Sequence, residues 1–361
     1  MQLARWAIPV FHTRNMRNRR GFFRRIVHNV SLGSCVIGVI ACSKAPEPTP
    51  QESLPKIKLK VVALTSQLAE LAREIGGSAV EVELILNTQS SLAKPPAEGA
   101  QKPPWQPNPF AWQPRATDLF ALQTAHLVLL NGLGLEKSLE GQEEKLRKQG
   151  VIVVVAGDAV PKEERLSMPG DANSLDPTFW NSPRLWKHAI AAVTAGMKQL
   201  VAPEAADYFE FRANPILARM DRLMDWSKER LATARLPGHR FILTSHDALR
   251  YFTKEFGIEA KAMWDVHGGL LPTPRAELDA WLGQHGVTDL IPDIALNTTA
   301  LEELLIEHQL KSSKPICSIY LDRPGTSQLG LLEAFDIGTY EGAFKAMIRV
   351  MEKSLGSASD E

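Results

Sequence analysis

Residues 203–236 read PEAADYFEFRANPILARMDRLMDWSKERLATARL. Within this stretch Phe209, Ala213, Ile216, Met220 and Leu223 step by four, three, four and three, which puts one apolar stripe along a helix. A helix of about 30 residues is roughly 45 Å long, enough to run the height of two lobes and join them. Pro215 sits within it and is expected to kink it. What lies on either side of this helix decides the fold.

On the amino-terminal side, short apolar runs alternate with helical patterns. KLKVVAL (58–64), VEVELIL (80–86), HLVLLNG (126–132) and VIVVVAG (151–157) read as strands. Between them, SQLAELAREIGG (66–77), ATDLFALQTA (116–125) and KSLEGQEEKLRKQG (137–150) read as helices, the first closed by Gly76-Gly77. LDPTFWNSPRLWKHAIAAVTAGMKQL (175–200) opens as a turn and continues as a helix. The carboxy-terminal side repeats the architecture without repeating the sequence. RFILTSH (240–246), EAKAMWDV (259–266), DLIPDIA (289–295) and PICSIYLD (315–322) are strands among four helical segments, the last being TYEGAFKAMIRVMEKSL (339–355). Strands alternating with helices imply α/β architecture with mostly parallel sheets. The expected fold is two such lobes joined by one long helix.

The segment before the first strand has a different chemistry. Residues 1–41 carry seven arginines and no acid. RNRRGFFRR is followed by the apolar VSLGSCVIGVIAC, the order of a secretory signal, and the run is short for a bilayer span. Val39-Ile40-Ala41-Cys42 resembles a bacterial lipobox, which makes Cys42 the lipidation site, and NRRGFFR resembles a twin-arginine signal. Met1 and Met16 are both possible starts. Ser43 to Pro55 is proline-rich and polar, as a tether is. The expected organisation is therefore signal peptide 1–41, tether 42–57, amino-terminal lobe 58–202, linking helix 203–235 and carboxy-terminal lobe 236–361.

The whole chain is 361 residues long with 41 basic and 41 acidic side chains. Taking away the seven arginines of 1–41 leaves 34 against 41, so the body is mildly acidic, which argues against a nucleic-acid partner. Of three cysteines, only Cys317 lies in the body, so neither an internal disulfide nor a cysteine-rich zinc site is available there. There is no G-x-S-x-G, no glycine-rich phosphate loop and no CxxC. Adjacent Ser245 and His246 do not make a nucleophile and base. A binding protein, not an enzyme, is expected.

The order of several segments resembles a known family. VVALTSQLAELAREIGGSAVEVELIL (61–86), HLVLLNGLGLE (126–136), LDPTFWNSP (175–183), SHDALRYFTKEFGI (245–258) and YLDRPG (320–325) resemble, in sequence order, the metal-binding solute receptors of bacterial zinc and manganese ATP-binding-cassette (ABC) importers, an adhesin-like lipoprotein group. The resemblance implies two α/β lobes joined by one long rigid helix, with a divalent metal bound in a ligand cleft between them. It also implies an ABC permease as partner, a lipid anchor at the outer face of a bacterial membrane or in the periplasm, and a monomer.

It further implies four metal-ligand positions, and two of them are altered. Pro109, Trp112, Pro114, Thr117 and Asp118 match the first motif, but its ligand position holds Phe110. Asp176, Pro177, Trp180, Ser182 and Pro183 match the second, where Thr178 replaces a histidine. The third and fourth ligands match as His246 and Asp322. Phenylalanine has no lone pair to give and a threonine hydroxyl is a poor neutral donor, so only weak binding of Zn²⁺ or Mn²⁺ is expected.

Three readings follow. His246, His267 and Asp322 could form a site on the carboxy-terminal lobe, with Asp265 as a further oxygen donor; the plainer alternative for His267 is a loop histidine bonded to backbone. Phe110, Trp112, Phe179 and Trp180 could instead wall the cleft for a metal chelate or small organic ligand; the plainer alternative is that the tryptophans pack. Lastly, the chain could have lost metal binding and serve a structural or interaction role. The remaining histidines after the signal segment, His126, His188, His239, His285 and His308, read as surface or core residues, and Asn87 to Pro107 holds no histidine.

Overall fold

The computed structural model describes residues 58–86, 109–169, 171–233, 240–265, 271, 273–293, 298–316, 331–332 and 335–356. Cys42, His267 and Asp322 lie outside the described residues, as do the signal segment and tether. Among the described residues no helix is long and apolar enough to cross a membrane.

The amino-terminal lobe is built on β1 (Leu59–Ala63), α1 (Ser66–Gly76), β2 (Val80–Leu84), α2 (Ala116–Gln123), β3 (Leu127–Leu130), α3 (Gln142–Lys148) and β4 (Ile152–Val155). The strands form one parallel sheet in the order β2-β1-β3-β4. Neighbouring residues of one strand face opposite sides, so two apolar layers form. Val61, Ala63, Leu127 and Leu129 face one layer, which includes α1, while Val62, Val128, Leu130 and Val153 face the other, with Leu122 of α2 and Leu146 of α3. Helices on both faces explain why β3 and β4 read as continuous apolar runs, whereas β2, at the sheet edge, alternates as VEVEL. α1 ends where Gly77 takes φ 52°, a left-handed conformation that favours glycine.

A short antiparallel hairpin, β5 (Ser167–Met168) with β6 (Asp171–Leu175), follows this sheet. It was not anticipated, although Pro169-Gly170 is a turn signal. The chain then enters α4 (Pro183–Lys198), capped by the Ser182 hydroxyl, which accepts from the Leu185 N–H.

α5 (Pro203–Thr233) is the long helix, and it is continuous through Pro215, which lies on its solvent face. The expected stripe is all buried: Phe209, Ala213, Ile216, Met220 and Leu223. α5 packs on α1 and α4 of the first lobe. Its Arg212 guanidinium donates to the Glu74 carbonyl at 2.9 Å, and Arg219 pairs with Glu74 at 2.6 Å.

The carboxy-terminal lobe comprises β7 (Phe241–His246), α6 (Arg250–Phe256), β8 (Glu259–Trp264), α7 (Arg275–His285), β9 (Asp289–Ile291), α8 (Thr298–Glu307), β10 (Lys311–Ser312), the antiparallel pair β11 (Leu331–Leu332) and β12 (Phe335–Asp336), and α9 (Tyr340–Ser354). Its sheet runs β10-β9-β7-β8, again parallel. α9 packs back against α5, where Arg230 reaches Glu352 at 3.4 Å. The one long helix thus contacts both lobes.

The lobes also meet directly. Trp186 of α4 stacks on Tyr340 at 5.4 Å, and the Tyr340 hydroxyl donates to the Trp180 carbonyl at 2.7 Å. Asn181 Nδ2 donates to the Ala248 carbonyl at 2.8 Å, and Ser182 Oγ to Glu255 at 2.9 Å. Phe179 and Trp180 are fully buried in this seam. As cleft walls they are therefore replaced by other residues: the Phe179 ring packs on Trp180 and Trp186, and Trp180 meets the other lobe through its carbonyl.

Candidate functional site

Between the lobes, near this seam, is a cleft of about 350 Å³. Its amino-terminal wall includes Phe110, in a short 3-10 turn at Pro109–Ala111, and Met168, Leu175 and Pro177 from the hairpin and the turn after it. Lys137 and Asp171 stand at this wall, and Asp247 and Asp265 face it from the other lobe. Trp112 is half-buried and packs into the core layer under α2.

The loop 131–136 supports this wall with an unusual backbone. Gly132, Leu133 and Gly134 have φ of 81°, 54° and 86°, and Gly134 lines the cleft. A left-handed leucine is strained, and something must hold it. Glu136 does so by accepting the Asn131 and Gly132 N–H groups at 2.6 and 2.8 Å. Burial pushes the Glu136 carboxyl up to about 7 despite those bonds. Asn131 Nδ2 donates to the Pro177 carbonyl at 3.1 Å, which ties this loop to the turn carrying Thr178.

Thr178 is fully buried. Its backbone N–H and its hydroxyl both donate to Asp176 Oδ1, at 2.8 and 2.6 Å. Asp176 Oδ2 lies 3.6 Å from the Arg250 guanidinium. Burial raises the Asp176 carboxyl, opposed by Thr178 and by the charge of Arg250. Tyr251 completes the turn: its hydroxyl accepts from the Leu166 N–H at 2.9 Å and donates to the Asp176 carbonyl at 3.1 Å. Asp118, the end of the first motif, is likewise structural. Burial opposes its ionisation, but hydrogen bonds and charge from Arg115 hold it below the usual carboxylate range.

His246 ends β7 and is only 6% exposed. Its Nδ1 lies 3.0 Å from Ser245 Oγ, which accepts the Asp293 N–H at 2.7 Å, and its ring lies 6.0 Å from that of Trp264. Burial lowers its pKa against the pull of Asp293 and Asp265, which favours the neutral imidazole. A neutral imidazole is the form that binds metal. Among the described residues no group of three or more His, Cys, Asp or Glu side chains is placed to hold a metal ion.

Three other described histidines are engaged elsewhere. His126 Nδ1 accepts the Lys60 N–H at 2.9 Å, His285 rests on Phe241, and His308 pairs with Asp279 at 2.7 Å. Sequence reading found Phe110 and Asp265 at the cleft but missed Lys137, Met168, Asp171 and Asp247. For Asp247 a signal was present, since it directly follows His246 at the end of a strand, where α/β folds place ligand-binding residues.

Two parallel-sheet lobes, one helix bridging them and a cleft between their strand ends define a solute receptor of the rigid-helix type. The chain belongs to the family described as zinc-uptake complex component A, periplasmic, whose model matches residues 104–353, the solute-binding members of zinc- and manganese-type ABC importers. It is 27% identical over 309 residues to the manganese-binding lipoprotein MntA of Bacillus subtilis (strain 168), covering 82% of this chain and 90% of that protein. It is 25% identical over 250 residues to the manganese ABC transporter substrate-binding lipoprotein PsaA of Streptococcus pneumoniae, covering 66% of this chain and 71% of that one. The periplasmic zinc-binding protein TroA from Treponema pallidum shares the fold, with a TM-score of 0.69 at 22% identity over 83% of this chain and 100% of that one.

Proposed function

We propose that this chain captures a divalent metal, or a ligand bearing one, outside the cytoplasmic membrane and passes it to an ABC permease, anchored by lipid on Cys42 and acting as a monomer. The observation that carries this reading is His246: a buried imidazole at the strand end, next in the chain to the cleft residue Asp247, in a chain of this family. A metal on its Nε2 requires the proton on Nδ1, and Ser245 Oγ can accept it with its second lone pair. Asp322 is the intended carboxylate partner, with His267 a further candidate.

Capture by this set is weak. Phe110 supplies no donor, and the Thr178 hydroxyl is committed to Asp176. Titration of the purified chain with Zn²⁺ and Mn²⁺ by calorimetry tests this. Weak binding that His246→Ala abolishes supports it; nanomolar binding refutes the loose site. The commitment of Thr178 also favours a second reading, a lipoprotein that has given up metal capture for a structural or interaction role, which complete absence of binding would support.

A further inference from the structure

We propose that the cleft takes a cationic solute whose charge is carried on an organic or complexed body, in preference to a bare divalent ion. This deepens the receptor reading and rests on it.

Size is the first observation. The cleft of about 350 Å³ is roughly ten times the share of one water, ~30 Å³, and falls at the lower end of small-molecule pockets, about 300–1,000 Å³. A bare ion needs donors converging at about 2.0–2.6 Å on one point. Among the described residues no three donors converge: on the amino-terminal wall Asp171 alone offers a carboxylate, Phe110 presents a ring and Thr178 is sealed beneath the surface.

Surface chemistry is the second. Phe110, Met168 and Leu271 offer an apolar and polarisable lining for a molecular body. The described charges at the cleft are Asp171, Asp247 and Asp265 against Lys137. Asp171 stays ionised, since Ser174 and the Asn173 N–H both bond to it. Acidic groups on both lobes facing an aromatic ring suit a cation, by charge and by attraction to the ring face. An anionic chelate would meet repulsion from Asp247 and Asp265, while Lys137 offsets Asp171 on the opposite wall.

The test is calorimetry and thermal shift on the full chain with defined probes: ZnCl₂, MnCl₂, choline, agmatine, hexaamminecobalt(III) and, as the anion, citrate. At least one cation-bodied probe is expected to bind about tenfold or more tightly than either bare ion. Asp247→Asn and Asp265→Asn should each weaken it about tenfold, and Phe110→Ala should weaken it while leaving the fold, followed by circular dichroism, unchanged. Tighter binding of bare Zn²⁺ or Mn²⁺ than of every cation-bodied probe overturns this proposal and leaves the receptor reading standing. Preference for citrate overturns the charge argument. Absence of binding by every probe overturns the proposal and the receptor reading together.

Discussion

Thr178 gives both its backbone N–H and its hydroxyl to a single oxygen of Asp176, at 2.8 and 2.6 Å. The position that resembles a family ligand is thereby turned inward and used to shape the turn. Thr178→Val keeps the shape and removes one donor to a buried carboxylate. Loss of about 1–3 kcal/mol of stability is expected, read by denaturant unfolding, with no change in affinity for Zn²⁺ or Mn²⁺. A fall in metal affinity would instead make the hydroxyl a ligand.

Phe110→His returns an imidazole to the amino-terminal wall. Bare-ion affinity should rise about tenfold or more, one added donor being worth over about 1.4 kcal/mol. Binding of cation-bodied probes should fall, because the apolar face is lost. Calorimetry of both ligand types on one variant reads the exchange directly.

Glu136 carries a pH signature. Burial raises its carboxyl from an ordinary 4.5 to about 7 in the folded chain. Between those values the folded state holds a proton that the unfolded state has released, so stability falls as pH rises from about 4.5 to about 7, then levels off. The full difference is on the order of 3 kcal/mol. Glu136→Gln should remove this slope, as measured by urea unfolding from pH 4.5 to 8. An unchanged slope would assign it to other groups.

Tyr251→Phe deletes a hydroxyl that accepts from Leu166 N–H and donates to the Asp176 carbonyl across the lobes. A loss of about 1–3 kcal/mol is expected, a Tm decrease of several degrees for a chain of this size. An unchanged Tm would mean that solvent replaces both bonds.

Much of the architecture was legible before any coordinates. The stripe of Phe209, Ala213, Ile216, Met220 and Leu223 marked α5, and continuous apolar runs marked strands covered on both faces. The β5–β6 hairpin was not legible, because its residues are mixed polar and apolar, exposed or half-exposed, and show no apolar period. Phe110 and Phe179 were indistinguishable as residues beside loop motifs. One lines the cleft and the other is buried in the seam with Trp186.

By itself, the sequence determined most of the segments that become strands and helices, that they alternate into parallel sheets, and that one helix is long enough to bridge two lobes. Those properties depend on side chains within a few positions of each other, where period and burial are coupled. Only the tertiary structure decided that Lys137, Asp171, Asp247 and Asp265 share a cleft with Phe110, and that Thr178 faces Asp176 instead of that space. These groups come from separate segments of both lobes, and their meeting is set by how the sheets and the aromatic seam pack, which no local pattern encodes.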